Sequence, residues 1–104
     1  MKIAVIGAGN GGQSIAGYLA LKGYKTSLYD IDVNKMDELK EKGGIQLTGR
    51  IEGFGKIHCI TTNIAEAMKG AEIVMVTTVA NAHRAVAKSM APYIEEGQVI
   101  IPNP

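Results

Sequence analysis

Cysteine occurs once in this chain of 104 residues, and tryptophan does not occur at all. With Cys59 alone, no internal disulfide can form and no cysteine cluster can hold a metal, so no metal site is expected. The plain reading of Cys59 is a small buried hydrophobe in a strand. No sign of charge dominates either. Eleven Lys and Arg against ten Asp and Glu leave a net charge of +1, and the two signs are mixed along the chain. That balance argues against a nucleic-acid or anionic-membrane partner. Apolar runs are no longer than a strand, which excludes a membrane-spanning helix. The N-terminus enters its first strand after one lysine, without the pattern of a cleaved signal. A single cytoplasmic domain with one core is the expectation, and 46% hydrophobic residues suffice to build it.

Glycine is what the chain has in quantity, and it is placed with purpose. Lys2 to Ile6 reads as a buried strand, and Gly7-Ala8-Gly9-Asn10-Gly11-Gly12 follows it directly. Gly7, Gly9 and Gly12 fall on the G-x-G-x-x-G pattern of a dinucleotide pyrophosphate turn. In that reading Gly7 permits the tight turn, Gly9 lets the backbone approach the phosphates, and Gly12 lets the first helix lie close. The free amides at the helix start, those of Asn10, Gly11 and Gly12, then face the anion.

The surrounding chain supplies the context. Gly11 to Lys22 carries Ile15, Ala16, Leu19 and Ala20 on one helical face, and Gly23 ends the helix. Lys25 to Tyr29 is a second strand with Asp30 at its end, about 20 residues past the glycines, where an acid reads the adenosine ribose. A carboxylate there accepts from the ribose hydroxyls and repels a 2′-phosphate, which favours NAD over NADP. The competing reading of Asp30 as a helix cap is weakened by Asp32, the better cap candidate. Lys35 leaves NADP possible, because a lysine in this region can partly accommodate the extra phosphate.

Asp32 opens a second helix with Val33, Met36, Leu39 and Lys40 on its inward stripe, stopping at Gly43-Gly44. Residues 45–48 and 54–60 are strand-like and are joined by a glycine-punctuated loop. They read as an antiparallel hairpin inserted before, or merging into, the third parallel strand. Asn63 and Glu66 have capping-box spacing for a short helix. Residues 72–78 form a fourth strand. Asn81 starts a helix with Ala82, Ala85, Val86 and Met90 inward and an irregular end at Pro92. Val99 to Ile101 is a fifth buried strand. Strands alternating with helices predict an α/β fold: a Rossmann-type, doubly wound, mostly parallel sheet of order 3-2-1-4-5. The switch point then falls between strands one and four.

Three residues leave the fourth strand beside the glycine turn. Thr77 and Thr78 can touch phosphates or riboses, and Val79 can pack on the adenine. Asn103 leaves strand five on the same edge and can reach the nicotinamide side. Catalytic candidates are scarce. His83 lies near the expected cleft but reads as a solvated helix residue, and His58 points to the opposite face from Cys59. Ser14, Ser27 and Ser89 have no base partner in the sequence. No complete active site is legible, so catalysis stays unassigned.

Several segments carry a family likeness: residues 1–12, Ser-Leu-Tyr-Asp at 27–30, Gly-Gly-Ile-Gln-Leu-Thr-Gly at 43–49, Thr-Thr-Asn-Ile-Ala-Glu-Ala at 61–67, Ala-His-Arg-Ala-Val-Ala at 82–87 and the closing run from Ala91. In these the chain resembles the N-terminal cofactor domain of octopine/nopaline (opine) dehydrogenases. Ketopantoate reductases and glycerol-3-phosphate dehydrogenases are similar over the same region. The resemblance implies reductive condensation of an amino acid with a 2-oxo acid, NAD(P)H giving hydride to the imine carbon. It also implies that catalytic residues and most substrate contacts come from a helical C-terminal domain outside this chain, which alone would be inactive. A non-catalytic NAD-sensing module is the alternative from another class. A homodimer fits a domain with apolar surface left uncovered.

Overall fold

A computed structural model describes residues 1–78 and 83–102. The strand Lys2–Ile6 (β1) stands at the centre, with Ile3, Ala4, Val5 and Ile6 all buried, as an apolar run covered on both faces requires. The helix Asn10–Leu21 (α1) leads to the strand Lys25–Tyr29 (β2), and the helix Val33–Lys42 (α2) follows. Two strands, Gly44–Leu47 (β3) and Gly53–Lys56 (β4), then precede a third parallel strand, Cys59–Thr61 (β5). The helix Ile64–Met68 (α3), the strand Ile73–Val76 (β6), the helix His83–Met90 (α4), a 3-10 turn at Ala91–Tyr93 and the strand Val99–Pro102 (β7) complete the order.

The five-stranded sheet runs β5-β2-β1-β6-β7, every pairing parallel. With the hairpin set aside, this is the expected order 3-2-1-4-5. The two faces of β1 divide the core. Val5 packs with Leu28, Ala16, Met36 and Leu39 beneath α1 and α2. Ala4 and Ile6 pack with Val74, Val76, Ala67, Met68 and Met90 beneath α3 and α4. Each large apolar side chain fully buried this way contributes roughly 1.5–3 kcal/mol. The chain crosses between faces on leaving β5, and this opens the crevice between β1 and β6 at their carboxyl ends.

The hairpin lies before the third parallel strand and does not merge with it. Its register pairs Gly44 with Lys56, Ile45 with Gly55, Gln46 with Phe54 and Leu47 with Gly53. The run expected as one strand over 54–60 breaks at Ile57-His58, where the amide of His58 donates to the Thr26 carbonyl and starts the pairing with β2. Glycines press the hairpin onto α1. A Cβ on Gly55 would overlap the Gly17 carbonyl oxygen, and one on Gly17 would stand 2.9 Å from Ile45 Cβ. Ile45 and Leu47 thereby join the core beneath α1.

Other expectations are corrected. Val33 and Lys40 are exposed, because α2 touches the sheet only through Met36 and Leu39. Asp32 does cap α2, its side chain accepting from the Lys35 amide at 3.1 Å. Such a cap contributes about 1 kcal/mol. At α3 the capping box is half closed. Asn63 Oδ1 accepts from the Ala65 and Glu66 amides, but the Asn63 amide donates to Thr61 Oγ1, not to Glu66. Ala85 is exposed, while Val86 and Met90 face the core. Asn81 and Ala82 lie outside the described residues. β7 is not buried. Ile100 packs beneath α4, but Val99 is 53% and Ile101 39% exposed on the opposite face, paired with the half-buried Ile73 and Met75 of β6. No described helix is long and apolar enough to cross a membrane.

Candidate functional site

The glycine turn is held from three sides. Gly7 adopts φ +118, a conformation L side chains rarely take, and its amide donates to the Tyr29 carbonyl at 2.8 Å. One residue on, the Ala8 amide donates to Asp30 Oδ2 at 2.8 Å, and Gln13 Nε2 donates to the Ala8 carbonyl at 2.8 Å. From β6, Thr77 Oγ1 donates to the Gly7 carbonyl at 2.8 Å, and the Thr77 amide donates to the Ile6 carbonyl at 2.9 Å. The Thr77 hydroxyl proton is therefore committed to the turn itself.

The glycines divide between packing and access. A Cβ on Gly12 would overlap the Gly7 carbonyl oxygen and stand 2.7 Å from Thr77 Oγ1, so α1 starts hard against the turn. A Cβ on Gly9 or Gly11 would meet nothing within 4 Å. Gly9 is the N-cap of α1 at φ −73, and no side chain caps this end and no acid lies in the first turn. The amides of Asn10, Gly11 and Gly12 thus lack an intrahelical partner at the positive end of the helix dipole. This arrangement can take an anion.

A cleft of about 400 Å³ lies beside that turn. Gly9, Asp30, Thr77 and Thr78 line it together, so the crevice unites residues from the ends of β1, β2 and β6. Asp30 Oδ2 takes Ala8 and Oδ1 takes the Asp32 amide at 3.0 Å, while Lys35 Nζ stands 3.6 Å from Oδ2. Burial pushes the Asp30 carboxyl upward. The amides of Ala8 and Asp32, the Lys35 ammonium and the Ile31 amide outweigh it and hold the group below its ordinary value. A carboxylate is therefore present at neutral pH, with lone pairs left for hydroxyl donors. Beside it, burial and then the Asp30 charge raise the Tyr29 phenol, keeping it protonated.

Several lining residues carry no signal in the sequence. Ile64 of α3 and Val86 and Ser89 of α4 reach the cleft only because the crossover brings those helices over it. Gln13, which braces the turn at the Ala8 carbonyl outside the cleft lining, has no motif that marks it. Ile31, directly after Asp30, is 82% exposed and lines the cleft as an apolar wall. Val79, Asn103 and the side chain of His83 lie outside the described residues. Cys59 is half-buried, its thiol donating to Glu66 Oε1 at 3.6 Å. Burial and the Glu66 charge raise that thiol, which makes it a poor nucleophile. His58 is exposed and far along the chain from the turn.

Known proteins are similar to this chain over nearly its whole length. An opine dehydrogenase of Arthrobacter sp. (strain 1C) is 39% identical over 97% of this chain, which spans 28% of that relative. A glycerol-3-phosphate dehydrogenase [NAD(P)+] of Moorella thermoacetica is 31% identical over 95% of the chain, which spans 30% of it. Among solved structures, octopine dehydrogenase in complex with NADH and agmatine superposes with a TM-score of 0.86 at 25% identity, covering all of this chain and 28% of the other. The chain thus spans less than a third of these relatives. Residues 2–103 match the family described as the NAD binding domain of 6-phosphogluconate dehydrogenase. With its glycine turn, open helix end and strand-end carboxylate around one crevice, the chain belongs to that family of NAD-binding domains.

Proposed function

We propose that this chain is the cofactor domain of an opine-type dehydrogenase, holding NAD(H) in the crevice between β1 and β6. The observation that carries the reading is the joining of Asp30 to the turn through the Ala8 amide, above a helix end that nothing caps. The pyrophosphate rests on the amides of Gly9, Asn10, Gly11 and Gly12, and the adenosine ribose donates to Asp30. Thr77 positions the turn through Gly7, and Thr78 borders the cofactor from the β6 side. Val79 and Asn103 stay assigned to the adenine and nicotinamide sides on their sequence position.

NADH supplies the hydride when bound, and this chain's residues fix where the cofactor lies. Amino-acid and 2-oxo-acid binding, and proton transfer, belong to a helical C-terminal domain. That division is supported by the greater length of the relatives and by the lack of a nucleophile–base pair among the described cleft residues. The apolar stripe of Ile73, Met75, Val99 and Ile101 offers such a domain, or a second copy in a homodimer, a surface to cover. A cytoplasmic setting belongs to the same reading, because the cofactor pool is there. A glycerol-3-phosphate dehydrogenase is the second reading, supported by the 31% identity to the Moorella enzyme.

Calorimetric titration tests the site. NADH is expected to bind more tightly than NADPH, because the Asp30 carboxylate accepts from a free 2′-hydroxyl and opposes a phosphate. Equal or reversed affinities would remove Asp30 from the ribose. Turnover of the full-length protein with amino acid, 2-oxo acid and NADH, set against turnover with glycerol 3-phosphate and NAD, separates the two enzyme readings.

A further inference from the structure

The backbone of the glycine turn is held one peptide plane at a time. The Gly7–Ala8 plane is fixed at both ends: Thr77 Oγ1 donates to the Gly7 carbonyl at 2.8 Å, and the Ala8 amide donates to Asp30 Oδ2 at 2.8 Å. The next plane, Ala8–Gly9, is held by Gln13, whose Nε2 donates to the Ala8 carbonyl at 2.8 Å. Only the NH2 end of that side chain can donate, so the carbonyl partner fixes which way it faces. The Gln13 backbone amide donates to the Gly9 carbonyl at 2.9 Å. One residue thus grips two consecutive carbonyls of the turn.

A trans peptide carries its carbonyl and its N–H on opposite sides, so whatever fixes the Ala8 carbonyl also aims the Gly9 N–H. Gln13 is half-buried and lines a groove with Leu39 of α2 and Ile45 and Phe54 of the hairpin, on the α1 and α2 side of the sheet. Gly9 lines the cleft, which Ile64 of α3 and Val86 of α4 border from the other side. We propose that Gln13 is a positioning residue for the cofactor: it draws the Ala8 carbonyl away from the cleft and so turns the Gly9 N–H to the pyrophosphate. The proposal rests on the assignment of the pyrophosphate to residues 9–12. Donation to the Ala8 carbonyl also polarises that peptide, which strengthens its N–H as a donor to an anion. The inserted hairpin gains a role as well, because Ile45 and Phe54 bound the space in which the Gln13 side chain stands.

The test is titration of the chain, of Gln13→Met and of Gln13→Glu with NADH, ADP and adenosine. Methionine keeps the length of the side chain and removes the donor. Glutamate keeps the shape and faces the carbonyl with an acceptor. Loss of one neutral hydrogen bond predicts a rise in the Kd of NADH and of ADP of about three- to tenfold in Gln13→Met. Adenosine, which brings a ribose to Asp30 but no phosphate, should be held within about twofold. Gln13→Glu should weaken NADH and ADP at least as much, and in both variants the Ala8 carbonyl and Gly9 amide resonances of the unliganded chain should move. If NADH shifts the amides of residues 9–12 in the unaltered chain and neither variant changes the ADP-to-adenosine ratio, the role of Gln13 is overturned while the phosphate site stands. If NADH leaves those amides unmoved, the phosphate assignment fails and the proposal fails with it.

Discussion

Gly9→Ala is expected to weaken NADH binding by roughly 10- to 100-fold while leaving a folded chain. A methyl group at this position meets no protein atom within 4 Å, and φ −73 suits any residue. The cost to the fold is that of a poorer helix N-cap, no more than about 1 kcal/mol. The cost to the ligand is larger. A Cβ at the mouth of the helix end pushes the pyrophosphate away from the amides of Asn10 to Gly12. Losing one charge-assisted hydrogen bond costs about 1.5–3 kcal/mol, and about 1.4 kcal/mol is a factor of ten in Kd. Thermal unfolding and calorimetry on the same sample check both halves. Unchanged NADH affinity in a folded variant would move the phosphate elsewhere.

Gly12→Ala, three residues on, should do the reverse. Its methyl group overlaps the Gly7 carbonyl oxygen and lies 2.7 Å from Thr77 Oγ1. Neither neighbour can yield cheaply. The carbonyl is backbone in a turn at positive φ, and Thr77 is tied to it at 2.8 Å. Overpacking a rigid site costs typically 1–3 kcal/mol and sometimes more, and this overlap belongs at the upper end. At about 4–8 °C per kcal/mol for a domain near this size, the unfolding midpoint should fall by roughly 10–20 °C. A melting curve displaced by less than about 2 °C would mean that α1 does not start against the turn. The pair of variants separates two roles that the motif combines: Gly9 gives access and Gly12 gives packing.

Most of the site was legible because its signals are local. Three glycines at fixed offsets, a buried strand before them and an acid at the next strand's end each follow from short-range chemistry. Together they bring Gly9 and Asp30 to one crevice, with Gly7 and Gly12 packed in the turn beside it. The sheet order followed from the alternation of strands and helices. What escaped depends on partners distant in sequence. Gly17 and Gly55 read as a helix interior and a strand interior, and only their contact shows why neither carries a side chain. Val33 sat on the expected inward stripe of α2, yet that helix meets the sheet along a narrower line through Met36 and Leu39. Val99 and Ile101 have the composition of a central strand, and composition cannot tell that one face of an edge strand lacks a covering helix. At α3, Thr61 took the Asn63 amide that the capping-box spacing assigned to Glu66, a competition between side chains that spacing does not encode.

The most direct test of the central claim is the amide spectrum of the uniformly 15N-labelled chain recorded during titration with NADH. A pyrophosphate on the open end of α1 should move the amide resonances of Gly9, Asn10, Gly11 and Gly12 most. Smaller shifts should appear at Ala8 and Asp32 as the ribose engages Asp30, and the hairpin of β3 and β4 should stay still. Saturable shifts centred on the hairpin or the exposed face of β7, with residues 9–12 unmoved, would contradict it.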